Sequence, residues 1–175
     1  YSICCGAMNV FVLDKDPVKA AEYHCDKHVN KMIVEHLQMM SIVAVMNDFN
    51  PAKRTNGEFY KTKAFRKHPC TIWMSQSFGN WAFAYHLTEA LCIEFEKRFG
   101  HPHGGKDSLK SLLRTCIALS KKLPHDMTEF AQAMPDECKV EGDAVAAYRK
   151  YYCMHKHGFA TWKTETPHWW SPIIT

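Results

Sequence analysis

The sequence predicts a mainly α fold, a single-domain bundle of about four helices behind a short N-terminal extended segment. Three observations lead there. Apolar residues recur at helical spacing for several turns beyond position 17, Pro and Gly stand where helices should start and stop, and no internal repeat or low-complexity tract intervenes. A chain of 175 residues, 46% hydrophobic and 23% charged, is long enough to bury one core without staples.

Residues 9–13 (Asn9-Val-Phe-Val-Leu13) read as a short extended segment, closed by Asp14-Lys-Asp-Pro17. Asp16 is placed to cap a helix and Pro17 to begin it. From 17 to about 49 neither Gly nor Pro follows the start, and Ala21, Cys25, Val29, Met32, Ile33, Leu37, Met40 and Val43 keep a helical period, so a single long helix is expected. Asn50-Pro51 ends it. A second helical region spans 68–99, with Gly79 as a candidate break and Gly100 as its C-cap. A third runs 109–123 up to Pro124, and a fourth opens at Gly142-Asp143 and continues to about 162. The tail Thr166-Pro-His-Trp-Trp-Ser-Pro172 cannot be regular helix, and its paired tryptophans read as a plug on the core or a cover over a groove.

No stretch of about 18 uncharged apolar residues exists, so a membrane-spanning helix is not expected. Residues 1–7 carry no basic n-region, and Gly6-Ala7-Met8 resembles a cloning leader, which makes 8–175 the expected domain and Met8 the expected natural start. Eight cysteines without a C-x-x-C pair fit free thiols in a reducing cytoplasm, that of a host cell, better than a disulfide framework. A net charge of +4 permits an anionic partner without demanding one.

The most informative pattern is ionisable. On one continuous helix His24, His28, Lys31 and Glu35 would fall at about 0°, 40°, −20° and 20°, sharing an arc of roughly 60° beside apolar Ala21, Cys25, Met32 and Met39. His24 and Glu35 would lie about 16 Å apart along the axis, too far for one ion, whereas Lys31 and Glu35 are about 6 Å apart. A lysine amine beside a partly buried carboxyl is what Schiff-base chemistry on an aldehyde-like sugar carbon needs; the same pair also serves as an ordinary i, i+4 salt bridge. Lys31, Glu35, His28 and His24 are therefore the candidate catalytic residues. No metal ligand set and no cofactor are assigned, although His24 and His28 have the spacing of two zinc ligands in want of a third. Asp136 and Glu137 form a paired acid that either holds a divalent ion or solvates a connector.

Nucleic acid is the expected partner. Lys53, Arg54, Lys61, Lys63, Arg66 and Lys67 fall within fifteen positions, interleaved with Phe59, Tyr60 and Phe65, and Arg149, Tyr152 and Lys156 share a side of the fourth helix. Arg66, Lys67, His68, Arg149, Tyr152 and Lys156 are the candidate nucleic-acid contacts.

The strings Met8-Asn-Val-Phe-Val-Leu-Asp14, Tyr23-His-Cys-Asp-Lys-His-Val29 with Lys31 and Glu35, His68-Pro-Cys-Thr-Ile-Trp73, Met134-Pro-Asp-Glu137 and Ala147-Tyr-Arg-Lys-Tyr-Tyr152 resemble a small-protein family of bacteriophages and large DNA viruses. That resemblance implies a viral setting. The order of elements, with a short N-terminal segment before a polar helix, a His-rich and aromatic helix pair and a Tyr-rich end, is also similar to the phage pyrimidine-dimer DNA glycosylases. In that family an amine forms a Schiff base with the damaged sugar and a helix carboxylate assists. The family's amine belongs to a threonine exposed by loss of the initiator methionine; here Asn9 follows Met8, so the resemblance implies Lys31 or an unusual N-terminus as amine, and Glu35, or less well Glu22, as acid. A non-catalytic viral binder of DNA or nucleotide, and a metal-dependent hydrolase built on His24 and His28, are the alternatives.

Overall fold

Seven α-helices and one 3-10 turn make up the regular structure in residues 8–174, the part described by this computed structural model; the one pairing of β type among them is an isolated bridge between Lys53 and Phe59. The class is mainly α, as expected, but the long predicted helices are cut into pairs. At the breaks after α1 and α3 a distant segment supplies partners for the new helix start.

α1 (Pro17–Tyr23) starts as predicted, with the Asp16 side chain accepting from the Val18 N–H at 2.9 Å. It stops at His24, where the backbone turns extended, and α2 (Asp26–Met46) begins after Cys25. The single helix over 17–49 is therefore corrected to two. The N–H groups at the new start find tertiary partners: Cys25 donates to the Tyr152 hydroxyl at 3.4 Å and Asp26 to the Thr161 carbonyl at 2.8 Å. On the other side of the kink Arg98 donates to the carbonyls of Glu22 (2.9 Å) and His24 (2.7 Å) while pairing with Glu94 and Asp26.

α2 buries Val29, Met32, Ile33, Leu37, Met39, Met40 and Val43, and α4 (Phe78–Phe99) packs on both α1 and α2. Before it, α3 (Pro69–Gln76) is capped by His68, whose Nδ1 accepts from the Cys70 N–H. The break between α3 and α4 falls at extended Ser77 and not at Gly79, which lies in the first turn of α4. Phe78 and Gly79 donate to the carbonyls of Pro124 and His125, and a Cβ at 79 would meet the His125 oxygen at 2.5 Å. Close backbone approach is what demands glycine here. Gly100, at φ +79°, ends α4 as predicted.

The expected helix over 109–123 is likewise two, α5 (Gly105–Lys110) and α6 (Leu113–Lys122). Between them the Ser111 hydroxyl donates to the Ser108 carbonyl and accepts from the Lys53 N–H, a competition that favours turn over helix. A strap of residues 123–135 leads to the 3-10 turn Asp136–Cys138. α7 (Ala144–His155), capped by Asp143, ends seven residues short of the predicted 162. The remaining tail folds back, with the Trp162 indole donating to the Tyr23 carbonyl at 3.0 Å and Ile173 to the Cys153 carbonyl at 2.8 Å. Trp169 and Trp170, half-buried, pack on the core. Residues 1–7, and with them Cys4 and Cys5, lie outside the described part; the six described cysteines are free thiols. No described helix is long and apolar enough to cross a membrane.

Candidate active site

α2 sets Lys31 and Glu35 one turn apart. The Lys31 amine lies 3.5 Å from Glu35 Oε1, with its side chain one third exposed (33%), while the Glu35 residue is 8% exposed. Burial pushes the Glu35 carboxyl above its usual range; Lys31, the Asn9 backbone N–H that hydrogen-bonds it, and Lys156 oppose that shift without cancelling it. Glu35 Oε2 is enclosed and has no hydrogen-bond partner. One carboxyl oxygen is thus paired and the other is not.

The N-terminal segment supplies the second wall. Met8 to Leu13 is buried throughout, and Asn9 is locked by its side chain: Nδ2 donates to the Ala133 carbonyl at 2.8 Å, and Oδ1 accepts from the Val10 N–H, the Tyr148 hydroxyl and, at 3.6 Å, the Cys70 thiol. This network fixes the Asn9 nitrogen on Glu35. His68 hydrogen-bonds the backbone of Met8, so its ring stands beside the same segment, and burial lowers its pKa.

His28, one turn before Lys31, is buried under an aromatic cluster. Phe11 stacks on it with centroids 4.5 Å apart, Phe159 meets it edge-on, and its Nδ1 lies 2.6 Å from the Tyr152 hydroxyl. Burial first, then the charges of His24, Lys156, Lys31 and Lys27, hold the ring well below its usual pKa, so it is neutral near pH 7. Lys156 lies 4.6 Å from the Tyr151 ring centroid and Lys27 4.5 Å from that of Phe159. Lys31 and Lys156 therefore act on the acid, while Lys27 and the rings enclose the neighbouring His28.

Two expectations need correction. His24 is off α2, fully buried, with Nδ1 against the Ala20 carbonyl at 2.6 Å; burial lowers its pKa to about 4. Its role is in the interior of the α1–α2 kink, because the helix that would have carried it onto the stripe is broken. Tyr152 has no exposed surface and holds His28 and the Cys25 N–H, so it supports the site from beneath and cannot touch a nucleic acid directly. Arg149 is engaged by the Leu13 carbonyl and Asp14 and lies over Tyr23 and Trp169. Arg66 and Lys67 are exposed just before α3, with Arg66 Nε on the Thr62 carbonyl. Glu22 pairs with Lys19 at 3.4 Å and is half-buried on α1. No group of three metal-ligating side chains among the described residues contains His24 or His28. Sequence reasoning gave no site role to Phe11, Lys27 and Phe159, and it placed Tyr148 only in an aromatic stretch of the fourth helix; Asn9 entered it only as the residue after Met8.

A helical frame thus holds a buried carboxyl beside an amine, under a cationic and aromatic rim. The family model for pyrimidine dimer DNA glycosylase matches residues 8–106, more than half of the chain, and the chain belongs to that family. No curated protein and no solved structure matches it. The matched region contains Asn9, His28, Lys31 and Glu35; Tyr148, Tyr152, Lys156 and Phe159 complete the site from beyond it.

Proposed function

We propose that this protein is a DNA glycosylase with associated lyase chemistry, Lys31 supplying the amine and Glu35 the acid–base group, in the host cytoplasm during infection by a phage or large DNA virus. The observation that carries it is the 3.5 Å approach of the Lys31 amine to a buried carboxyl of raised proton affinity. Glu35 takes a proton from the Lys31 ammonium. The freed amine attacks C1′ of the damaged nucleotide, the C1′–N glycosidic bond breaks, and the base leaves with its electron pair and takes the proton held by Glu35. The ammonium newly formed at C1′ passes one proton through Glu35 to O4′ as the C1′–O4′ bond opens. Ring opening then gives a protonated imine between Lys31 and the sugar. Neutral His28 adds no repulsion to that cation, and Arg66, Lys67 and Lys156 supply charge for the phosphate backbone.

A second reading rests on the Asn9 nitrogen at Glu35: a chain that begins at Asn9 would present its α-amine to the same carboxyl. Borohydride reduction of the imine on DNA bearing a pyrimidine dimer or abasic site tests both. A trapped adduct is expected, lost in Lys31→Ala, strongly reduced in Glu35→Gln, and mapping to Lys31 after digestion. An adduct on Asn9 that persists in Lys31→Ala would transfer the role of the amine. DNA binding with no adduct in wild type would refute the enzyme and leave a non-catalytic binder.

A further inference from the structure

The acid pair at 136–137 is split by the fold. Asp136 pairs with Lys139 at 2.9 Å, whereas Glu137 reaches α7 and places Oε1 2.7 Å from His155 Nε2. Cys138 is buried between them, its Sγ 3.8 Å from the Met154 sulfur. One ligand atom each from Glu137, Cys138 and His155 lies within 4.8 Å of the other two.

We propose that Glu137, Cys138 and His155 form a zinc-class metal site that fastens the 3-10 turn to the last turn of α7. The donor set decides the metal: one sulfur, one imidazole nitrogen and one carboxylate oxygen suit a borderline ion such as zinc and poorly suit magnesium or calcium, which select oxygen. The geometry is close to closure. Tetrahedral bonds of about 2.0–2.3 Å put neighbouring donors roughly 3.3–3.6 Å apart, so the carboxylate and imidazole need only separate slightly while the thiol turns inward. Glu137 and His155 are exposed and free to adjust, and Cys138 is the anchor. Binding displaces the thiol proton to solvent, and water fills the fourth position. A surface His–Glu pair by itself adds little stability; a buried thiol facing that pair is what a metal site adds to it.

The test uses the full chain in a Cys4→Ser, Cys5→Ser background, stripped with chelator and titrated with Co²⁺. One equivalent should produce a thiolate-to-cobalt band in the near ultraviolet that zinc then abolishes. Cys138→Ser should remove the band, and His155→Ala or Glu137→Gln should weaken binding by about tenfold or more. Cys116→Ser, altering a half-buried thiol elsewhere in the chain, should leave it unchanged. Circular dichroism checks each variant, and exposed His155 decides the matter if Cys138→Ser does not fold. A wild type without the band, or a band surviving His155→Ala at full affinity, overturns the site.

Discussion

Arg98 shows how a single residue can shape a site it does not enter. Its guanidinium is fully enclosed and divides its donors between Glu94, Asp26 and two carbonyls at the end of α1. Removing it strands a buried carboxylate, so Arg98→Ala should lower unfolding free energy by about 3–5 kcal/mol, measured by urea denaturation. Lys31→Ala, at a side chain one third exposed, should change stability by less than about 1 kcal/mol while abolishing the trapped adduct, which separates chemistry from folding. Tyr152→Phe keeps the ring packing but removes the hydroxyl from His28 and the Cys25 N–H, an expected loss of about 1–3 kcal/mol on the same assay. The Lys31 and Glu35 pair was legible in the sequence because i, i+4 spacing survives in any helix. His24 was misplaced because its position depends on Arg98, 74 residues away.

The same contrast holds for whole elements. Asp16 with Pro17, Gly100 and Asp143 mark helix ends by local chemistry, and the structure uses all of them. The break at Cys25 has no comparable local mark, since Tyr152 and Thr161 supply the bonds that replace helix continuity. At Ser77, by contrast, the serine hydroxyl caps α4 by accepting from the Asn80 N–H, and Pro124 and His125 take the next two donors. Glycine substitutions can check this account. Gly79→Ala would press a methyl into the His125 carbonyl, backbone that cannot turn aside, whereas Gly105→Ala meets the side chains of Ile33, His103 and Leu37. Alanine's helix preference favours both changes by about 1 kcal/mol. Net destabilisation of about 1–3 kcal/mol is expected at both, because at 105 the new methyl runs into Ile33 Cγ2, and a buried β-branched side chain in a helix has little freedom to turn; an unchanged melting temperature for Gly79→Ala would count against the strap's role.

At the level of the molecule, buried histidines govern the response to acid. Burial lowers His24 to about 4 and His36 to about 3, against 6.5 when exposed. Between those limits the unfolded chain binds more protons than the folded one, so stability falls as pH drops from 6.5 toward 4. His24 alone accounts for a loss on the order of 3 kcal/mol by pH 4. Glu35, shifted upward, offsets part of it. Denaturation midpoints across that range should decline, and flat ones would show that neither ring is held neutral. DNA affinity answers to salt instead: Arg66→Ala with Lys67→Ala should flatten the log–log salt slope by about 2 if both meet phosphate. One arrangement reaches past energetics. Glu35 and Asn9 come from the start of the chain, while Tyr152, Lys156 and Phe159 come from its last quarter. A fragment that stops before α7 would therefore keep Asn9 and Glu35 but lose the hydroxyl and the ring that enclose His28, leaving that imidazole open to water.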